Sequence, residues 1–157
     1  MKRWLIILAF IIVPMLTTSA QSVRLGERIP KINVDSPLGK SLDYCEHDHI
    51  ALIFIHSDSR PCIEALRNFE ILSEHLKSDM SVVLLTTEDK ANHDNIIARL
   101  PNRNREIAYD VEHSTFNAFG IDYVPFCVIY TKKRGRVVWF GPLTRIDNHI
   151  SENHTEQ

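Results

Sequence analysis

The residues best placed for chemistry in this sequence are Ser59 and Cys62, which lie three positions apart in the stretch from His56 to Cys62. This stretch joins an apolar run that ends at Ile55 to a helical pattern that begins near Cys62. A helix N-terminus offers unpaired N–H groups and a partial positive charge, and both stabilise the thiolate form of a cysteine. Cys62 is therefore a candidate catalytic residue for thiol chemistry.

Ser59 stands where a two-cysteine redox motif would carry its first cysteine. A disulfide within this motif is therefore excluded, and any redox chemistry must use one sulfur or find a partner sulfur elsewhere. Ser59 is also a suitable helix N-cap, because its hydroxyl can accept a hydrogen bond from the amide of Cys62. We interpret it as a cap rather than a nucleophile, since His56 is the nearby base and no third group is evident to orient it.

A second group of potential ligands lies at Cys45 to His49, where a cysteine and two histidines alternate with acidic residues. Thiolate and imidazole ligands are suited to copper and zinc. No second cluster at ligand spacing accompanies this one in the sequence. We therefore interpret it as a solvated charged loop, and we predict neither a metal site nor a cofactor.

Residues 1–20 have the layout of a cleavable secretory signal, with a basic start at Lys2 and Arg3, an apolar stretch and a small-residue end. The apolar stretch is shorter than the ~20 residues that span a bilayer. It also contains Pro14, so cleavage is favoured over a membrane anchor. We expect an extracytoplasmic protein, periplasmic or secreted, with no membrane attachment after cleavage.

The remaining chain is long enough for one domain with a hydrophobic core and too short for two. Removing Lys2 and Arg3 changes the formal charge from −2 to −4. This balance argues against a phosphate-binding surface, so nucleic acid is not an expected partner. We place the domain at residues 21–150 and a flexible polar tail at residues 151–157.

Hydrophobic periodicity predicts strands and helices in alternation. The run from Ile50 to Ile55 is uninterruptedly apolar and rich in β-branched residues, as expected for a parallel strand covered on both faces. We predict an α/β fold with a central mixed sheet flanked by helices, a final antiparallel hairpin and an N-terminal β extension. The later elements are predicted as a helix from Cys62 to Leu76, a strand from Ser81 to Thr87, a helix from Asn92 to Leu100, a strand from Glu106 to Tyr109, a helix from Ser114 to Phe119, hairpin strands at 126–130 and 136–140, and a helix from Leu143 to Ile150.

In this order the motifs resemble the thioredoxin fold, and specifically the exported TlpA/ResA-like proteins. The resemblance implies a thioredoxin-like fold across almost the whole mature chain. It assigns to Pro125 the family's cis-proline site, which lies against the active-site cysteines and helps to hold an extended partner segment. The matching motifs are Gly39-Lys40-Ser41-Leu42, Pro61-Cys62, Val82 to Thr87, Tyr109-Asp110, Phe119-Gly120-Ile121, Val124-Pro125, and Gly135-Arg136-Val137-Val138-Trp139 with Gly141.

The sequence departs from the resembled family at the catalytic positions. The exposed first cysteine is replaced by Ser59, and the tryptophan before it by Asp58. The acidic residue that relays protons in thioredoxin would fall at Ile53, and the glutamate that follows the motif in ResA-like proteins would fall at Ala65. The chain thus keeps the scaffold and Cys62 and lacks the ordinary two-cysteine machinery.

The three cysteines, Cys45, Cys62 and Cys127, can form at most one internal disulfide, so at least one thiol is left over. Strand alternation places Cys127 on the same face as Pro125. The resemblance puts that face under the helix begun by Cys62, so a disulfide between Cys62 and Cys127 is conceivable if their Cα atoms lie within about 7 Å. We favour a buried, small apolar role for Cys127.

Three functions fit these residues. The first is thiol–disulfide redox or mixed-disulfide chemistry through Cys62, with extracytoplasmic protein thiols or disulfides as partners and with Ser59 and Pro125 in the site. The second is a non-catalytic module that binds a partner in the groove beside Pro125. The third is a thiol peroxidase, because Ser59-x-x-Cys62 partly resembles the peroxiredoxin motif. The aromatic candidates for a binding surface are Tyr123, Phe126 and Trp139.

Overall fold

A computed structural model describes residues 23–35, 47–76 and 80–147. The described elements follow the predicted order along the chain. They are β1 (His49–Ile55), α1 (Arg60–Leu76), β2 (Met80–Thr86), α2 (His93–Arg99), β3 (Glu106–Tyr109), α3 (Ser114–Phe119), β4 (Phe126–Thr131) and β5 (Val137–Pro142).

The five strands form one mixed sheet with the order β3-β2-β1-β4-β5. β1 is parallel to β2, and β2 is parallel to β3, whereas β4 is antiparallel to both β1 and β5. Every residue of β1 is buried except His49 at its start. The predicted α/β fold, with its two-sided central strand and its final antiparallel hairpin, is confirmed.

Two hydrophobic clusters cover the two faces of the sheet. Alternation along β1 directs Ile53 into the cluster that contains Phe69 of α1, which we call the α1-side cluster. The same alternation directs Phe54 into the cluster that contains Phe119 of α3, which we call the α3-side cluster. Burial of one face of α1 therefore fixes the position of its first turn over the sheet.

Residues 23–35 are the described part of the predicted N-terminal β extension. They form two isolated β-bridges, one between Arg28 and Arg136, just before β5, and one between Asp35 and Tyr109 of β3. Because β5 and β3 are the two edges of the sheet, the segment crosses one face from edge to edge. On the way it packs apolar side chains against the α3-side cluster, namely Val23, Ile29, Ile32 and Val34.

The first turns of two helical segments are shaped by side-chain caps. α1 begins at Arg60, so Cys62 is its third residue, as the predicted cap at Ser59 requires. α2 is preceded by a 3-10 turn over Lys90–Asn92, in which the side chain of Asp89 accepts a backbone hydrogen bond. The cap at Asp89 belongs to the 3-10 turn, since the residue that precedes α2, Asn92, makes no side-chain cap bond.

The end of the chain differs from the prediction. β5 runs through to Pro142, although the sequence predicted that Gly141 and Pro142 would stop it. Proline is tolerated there because it is the last residue of an edge strand. The helix predicted from Leu143 to Ile150 starts as a 3-10 turn over Leu143–Arg145.

Several predictions fall on residues 1–22, 36–46, 77–79 and 148–157, which lie outside the described ranges. These are the signal at residues 1–20, the motif from Gly39 to Leu42, Cys45 and Glu46 of the ligand group, and the tail at residues 151–157. Within the described ranges, no helix is long and apolar enough to cross a membrane.

Two substitutions on α1 test how the helix is held. Leu66 is 1% exposed and Ile71 is 52% exposed. We expect Leu66→Ala to lower the free energy of unfolding by about 2–5 kcal/mol, because it removes buried methyl groups and leaves a cavity. Ile71→Ala should change it by less than about 0.5 kcal/mol. Urea denaturation measures both, and equal losses would contradict the packing described here.

Candidate functional site

Cys62 is the third residue of α1. The amide of Cys62 donates to the hydroxyl oxygen of Ser59 at 3.5 Å. The amide of Ile63 donates to the carbonyl oxygen of Ser59 at 3.1 Å. Ser59 therefore caps the helix, in agreement with the prediction, and its hydroxyl is engaged with the backbone.

Both described cysteines are free, fully buried thiols. Cys62 and Cys127 are each 0% exposed and belong to the α1-side cluster. Burial raises the pKa of the Cys127 thiol far above its ordinary value. No disulfide joins these two described residues, which agrees with the apolar role favoured for Cys127. In this conformation neither thiol is exposed to a sulfur of another molecule.

The loop of residues 56–59, between β1 and α1, is held by the carboxylate of Glu88, just after β2. The amide of Ser57 donates to Glu88 Oε2 at 2.7 Å, and the hydroxyl of Ser57 donates to Oε1 at 2.6 Å. The hydroxyl of Thr86 donates to Oε2 at 2.9 Å. Since Ser57 is only 3% exposed, these bonds satisfy polar groups that water does not reach.

Arg99, at the end of α2, holds the same loop from a second element. Its Nη1 atom lies 2.5 Å from Asp58 Oδ1 and donates to Ser57 Oγ at 3.2 Å. His56 Nδ1 accepts from the amide of Asp58 at 3.3 Å and lies 3.9 Å from Glu88 Oε2. The loop is therefore fixed to the carboxyl ends of both β2 and α2.

The protonation of Glu88 depends on this network. Burial raises the pKa of the Glu88 carboxyl, but the hydrogen bonds from Ser57 and Thr86, together with the charge of His56, outweigh burial. The net effect holds the pKa of Glu88 below its ordinary value of 4.5. At neutral pH the loop is therefore held by a charged carboxylate, and charged acceptors form the stronger hydrogen bonds.

A second polar pair lies at the same end of the sheet, where β3 finishes at Tyr109. The Tyr109 hydroxyl forms a short hydrogen bond with His93 Nδ1, at the start of α2. Desolvation raises the pKa of Tyr109 to about 12, and the negative charges of Glu88 and Asp94 contribute to the rise. Tyr109 thus remains protonated at neutral pH and can donate to His93.

Three side chains of this region come close enough to share a metal ion. His56, Asp58 and Glu88 each offer a ligand atom, and these atoms lie within 4.8 Å of one another. However, Arg99 already pairs with Asp58, and Glu88 accepts three hydrogen bonds. The charges and lone pairs of the cluster are used within the protein, so we interpret the cluster as structural.

Pro125 lies at the same end of the sheet as Ser59 and Cys62. β1 and β4 are antiparallel with Phe54 opposite Phe126, so the end of β1 that leads to Ser59 adjoins the start of β4. The Val124–Pro125 peptide bond is cis. The carbonyl oxygen of Pro125 accepts a hydrogen bond from the amide of Leu143 at 3.2 Å, which fixes the carboxyl side of this turn.

The aromatic candidates for a surface near Pro125 differ in their exposure. Tyr123 is 54% exposed, with its ring 5.4 Å from that of Phe126 in an edge-to-face arrangement. Phe126 is 2% exposed and Trp139 is partly buried against the α1-side cluster. Only Tyr123 of the three thus offers a largely open aromatic face.

No protein-family model matches the sequence, and no curated protein matches it. Solved structures do match. A thioredoxin-like protein from Bacteroides caccae has 16% identity and a TM-score of 0.65 over 85% of this chain, which spans 51% of that protein. A structure named as a thiol:disulfide interchange protein, DsbE, from Chlorobium tepidum has 15% identity and a TM-score of 0.64 over 83% of this chain and 97% of that one. The chain has a thioredoxin-like fold.

Peroxidoxin BcpB from Mycobacterium tuberculosis also matches it, with 12% identity and a TM-score of 0.67 over 86% of this chain and 99% of that one.

This thioredoxin-like fold gathers the three predicted site residues at one end of the sheet, but the residues that hold the loop were missed from the sequence. A signal for Glu88 existed, because Thr86 to Glu88 lie at the carboxyl end of a buried strand, and polar groups at the carboxyl ends of parallel strands converge. Arg99 gave no comparable signal. A basic residue in the last turn of a helix is expected from the helix dipole alone.

We expect the acid stability of the protein to depend on Glu88. A carboxyl with a lowered folded-state pKa stabilises the fold above its unfolded pKa, and this contribution is lost as pH falls through the folded value. The free energy of unfolding should therefore fall below pH 4.5 in the native protein and fall less steeply in Glu88→Gln. The exposed Glu112→Gln is the matched control, and urea denaturation at a series of pH values measures all three. If the free energy of unfolding fell equally steeply with pH in the native protein and in Glu88→Gln, the lowered pKa of Glu88 would be contradicted.

Proposed function

We propose that this protein is an extracytoplasmic, thioredoxin-fold binding module that holds an extended segment of a partner protein beside Pro125. The observation that carries the proposal is the burial of Cys62, which is 0% exposed while Ser59 occupies the position nearer the surface. Thiol–disulfide exchange requires a sulfur that can approach its target. In this conformation the site therefore supports contact with a partner without exchange.

The turn at Pro125 supports binding of an extended chain. Among the described residues, none exchanges a hydrogen bond with the backbone of Val124, so its N–H and C=O groups can pair with a segment laid alongside. Backbone pairing gives affinity in this type of recognition, and side-chain contacts give specificity. The exposed ring of Tyr123 is next to these groups and can supply such a contact.

Export is part of the proposal. The signal-like layout of residues 1–20 supports it, and the partner would then be an extracytoplasmic protein. The acidic balance of the chain favours a protein partner over a nucleic acid.

The second candidate function is mixed-disulfide chemistry through Cys62, and its place in the first turn of α1 favours it. The Cys62 thiolate would attack one sulfur of a partner disulfide, forming a new bond and releasing the other partner sulfur as a thiolate. Because Ser59 and not a cysteine lies three residues before Cys62, no neighbouring thiol resolves the product, which would persist until another thiol attacked it. Peroxide reduction at Cys62 would require the same access to the sulfur.

We expect peptide binding to survive loss of the thiol. Peptides selected from a displayed random library on the mature protein should bind Cys62→Ala as tightly as the native protein, because the thiol is buried. Tyr123→Ala should lower the affinity for these peptides by about tenfold, the effect of losing one aromatic contact. Fluorescence anisotropy measures both. The exposed Val138→Ala is the control, and loss of binding in Cys62→Ala would contradict the proposal.

A second prediction concerns the missing cysteine. The native protein should not accelerate insulin reduction by dithiothreitol, whereas Ser59→Cys should, because it places a more accessible thiol three residues before Cys62 at a helix start. Ser59→Ala is the matched control and should remain inactive. Turnover by the native protein would overturn the binding proposal in favour of the second candidate. An inactive Ser59→Cys would mean that the serine is not the main obstacle to exchange.

A further inference from the structure

We infer that Glu88 is a positioning residue that latches the loop of residues 56–59 and thereby keeps the Cys62 thiol out of reach. The inference deepens the proposed function and rests on it, because it names what holds the same site in its non-reactive conformation. It starts from geometry: Glu88 uses both carboxylate oxygens on Ser57, one for the amide at 2.7 Å and one for the hydroxyl at 2.6 Å.

The loop of residues 56–59 connects the hydrogen bonds of Glu88 to the first turn of α1. The amide of Ser59 donates to the carbonyl oxygen of His56 at 3.0 Å, which closes the loop into a turn around Ser57. Ser59 then accepts from the amide of Cys62 as the helix cap. The carboxylate of Glu88 is thus connected, through Ser57, the turn of residues 56–59 and the cap at Ser59, to the backbone amide of Cys62.

The surrounding charges also favour the closed loop. Arg99 from α2 contacts both Asp58 and Ser57, so it neutralises the loop carboxylate and shares the hydroxyl that Glu88 holds. His56 from the end of β1 lies 3.9 Å from Glu88 and adds attraction when protonated. Tyr109 from β3 feels the negative charge of Glu88 but remains neutral. Replacing Glu88 by Gln leaves one carboxamide oxygen for the two donors of buried Ser57 that the carboxylate now accepts, which favours opening of the loop.

The consequence is local opening without global unfolding. The loop is tied by polar bonds at the end of the sheet, whereas Cys127 lies within β4 in the interior. Segments held by few contacts open at lower free energy than core strands. Loss of the latch should therefore expose Cys62 and leave Cys127 protected.

The test uses the full mature chain and N-ethylmaleimide, which adds a thiol across its double bond with no leaving group. Labelling at pH 7 is followed by peptide mapping, so the rates at Cys62 and Cys127 are measured in the same sample. We expect Glu88→Gln to raise the rate at Cys62 by at least about tenfold with no change at Cys127, because hydrogen bonds to a charged acceptor are among the stronger ones. Arg99→Gln, which removes the contacts of Arg99 with Asp58 and Ser57, should raise the labelling rate at Cys62 as well.

The control is Glu64→Gln, since Glu64 pairs with exposed Arg60 one turn further along α1 and, among the described residues, forms no hydrogen bond or ion pair with the loop. Its Cys62 rate should match that of the native protein. The inference is overturned if Glu88→Gln leaves the Cys62 rate unchanged, or if the rates at Cys62 and Cys127 rise together, which reports unfolding of the whole domain. Because labelling needs no partner, a failed latch is distinguishable from a failed binding proposal, which the peptide measurement tests.

Discussion

The burial of β1 on both faces is the constraint on which the rest of the structure depends. A strand with no solvated face must have neighbours on both sides and covering elements above and below, and β2, β4, α1 and residues 23–35 meet these needs. The direction of β1 then decides where the loop to α1 emerges. All the polar groups of the candidate site are arranged around that exit.

At that exit, the residues that could carry thiol chemistry have structural roles instead. Ser59 serves as a helix cap, Cys62 fills the α1-side cluster, and the charged groups nearby satisfy one another. Glu88 has the character of a group that could act in catalysis, with a shifted pKa and a charged surrounding. Its hydrogen bonds, however, all go to Ser57 of the loop and to Thr86 at the end of β2, so it holds these two segments together.

The fold was largely predictable from the sequence because local patterns carry it. The apolar run at β1, the helical spacing of α1 and the turn before β5 each determine one element, and their order limits the topology. The cap at Ser59 was predictable for the same reason. The hydrogen bonds between Ser57 and Glu88 were not predictable, since they join residues 31 positions apart through side chains that are common in loops. The burial of Cys62 likewise depends on how several elements pack, which no single stretch of sequence encodes.

The segment of residues 23–35 has a consequence for how other chains can approach. Unpaired edges of a sheet are templates on which a foreign strand can add. By bridging to Tyr109 on one edge and next to β5 on the other, this segment occupies part of both. A partner that extends the sheet sideways must compete with the protein's own chain, whereas no bridge of the described residues 23–35 occupies the end of the sheet beside Pro125. Residues 23–35 therefore limit the directions from which a partner can dock on the sheet.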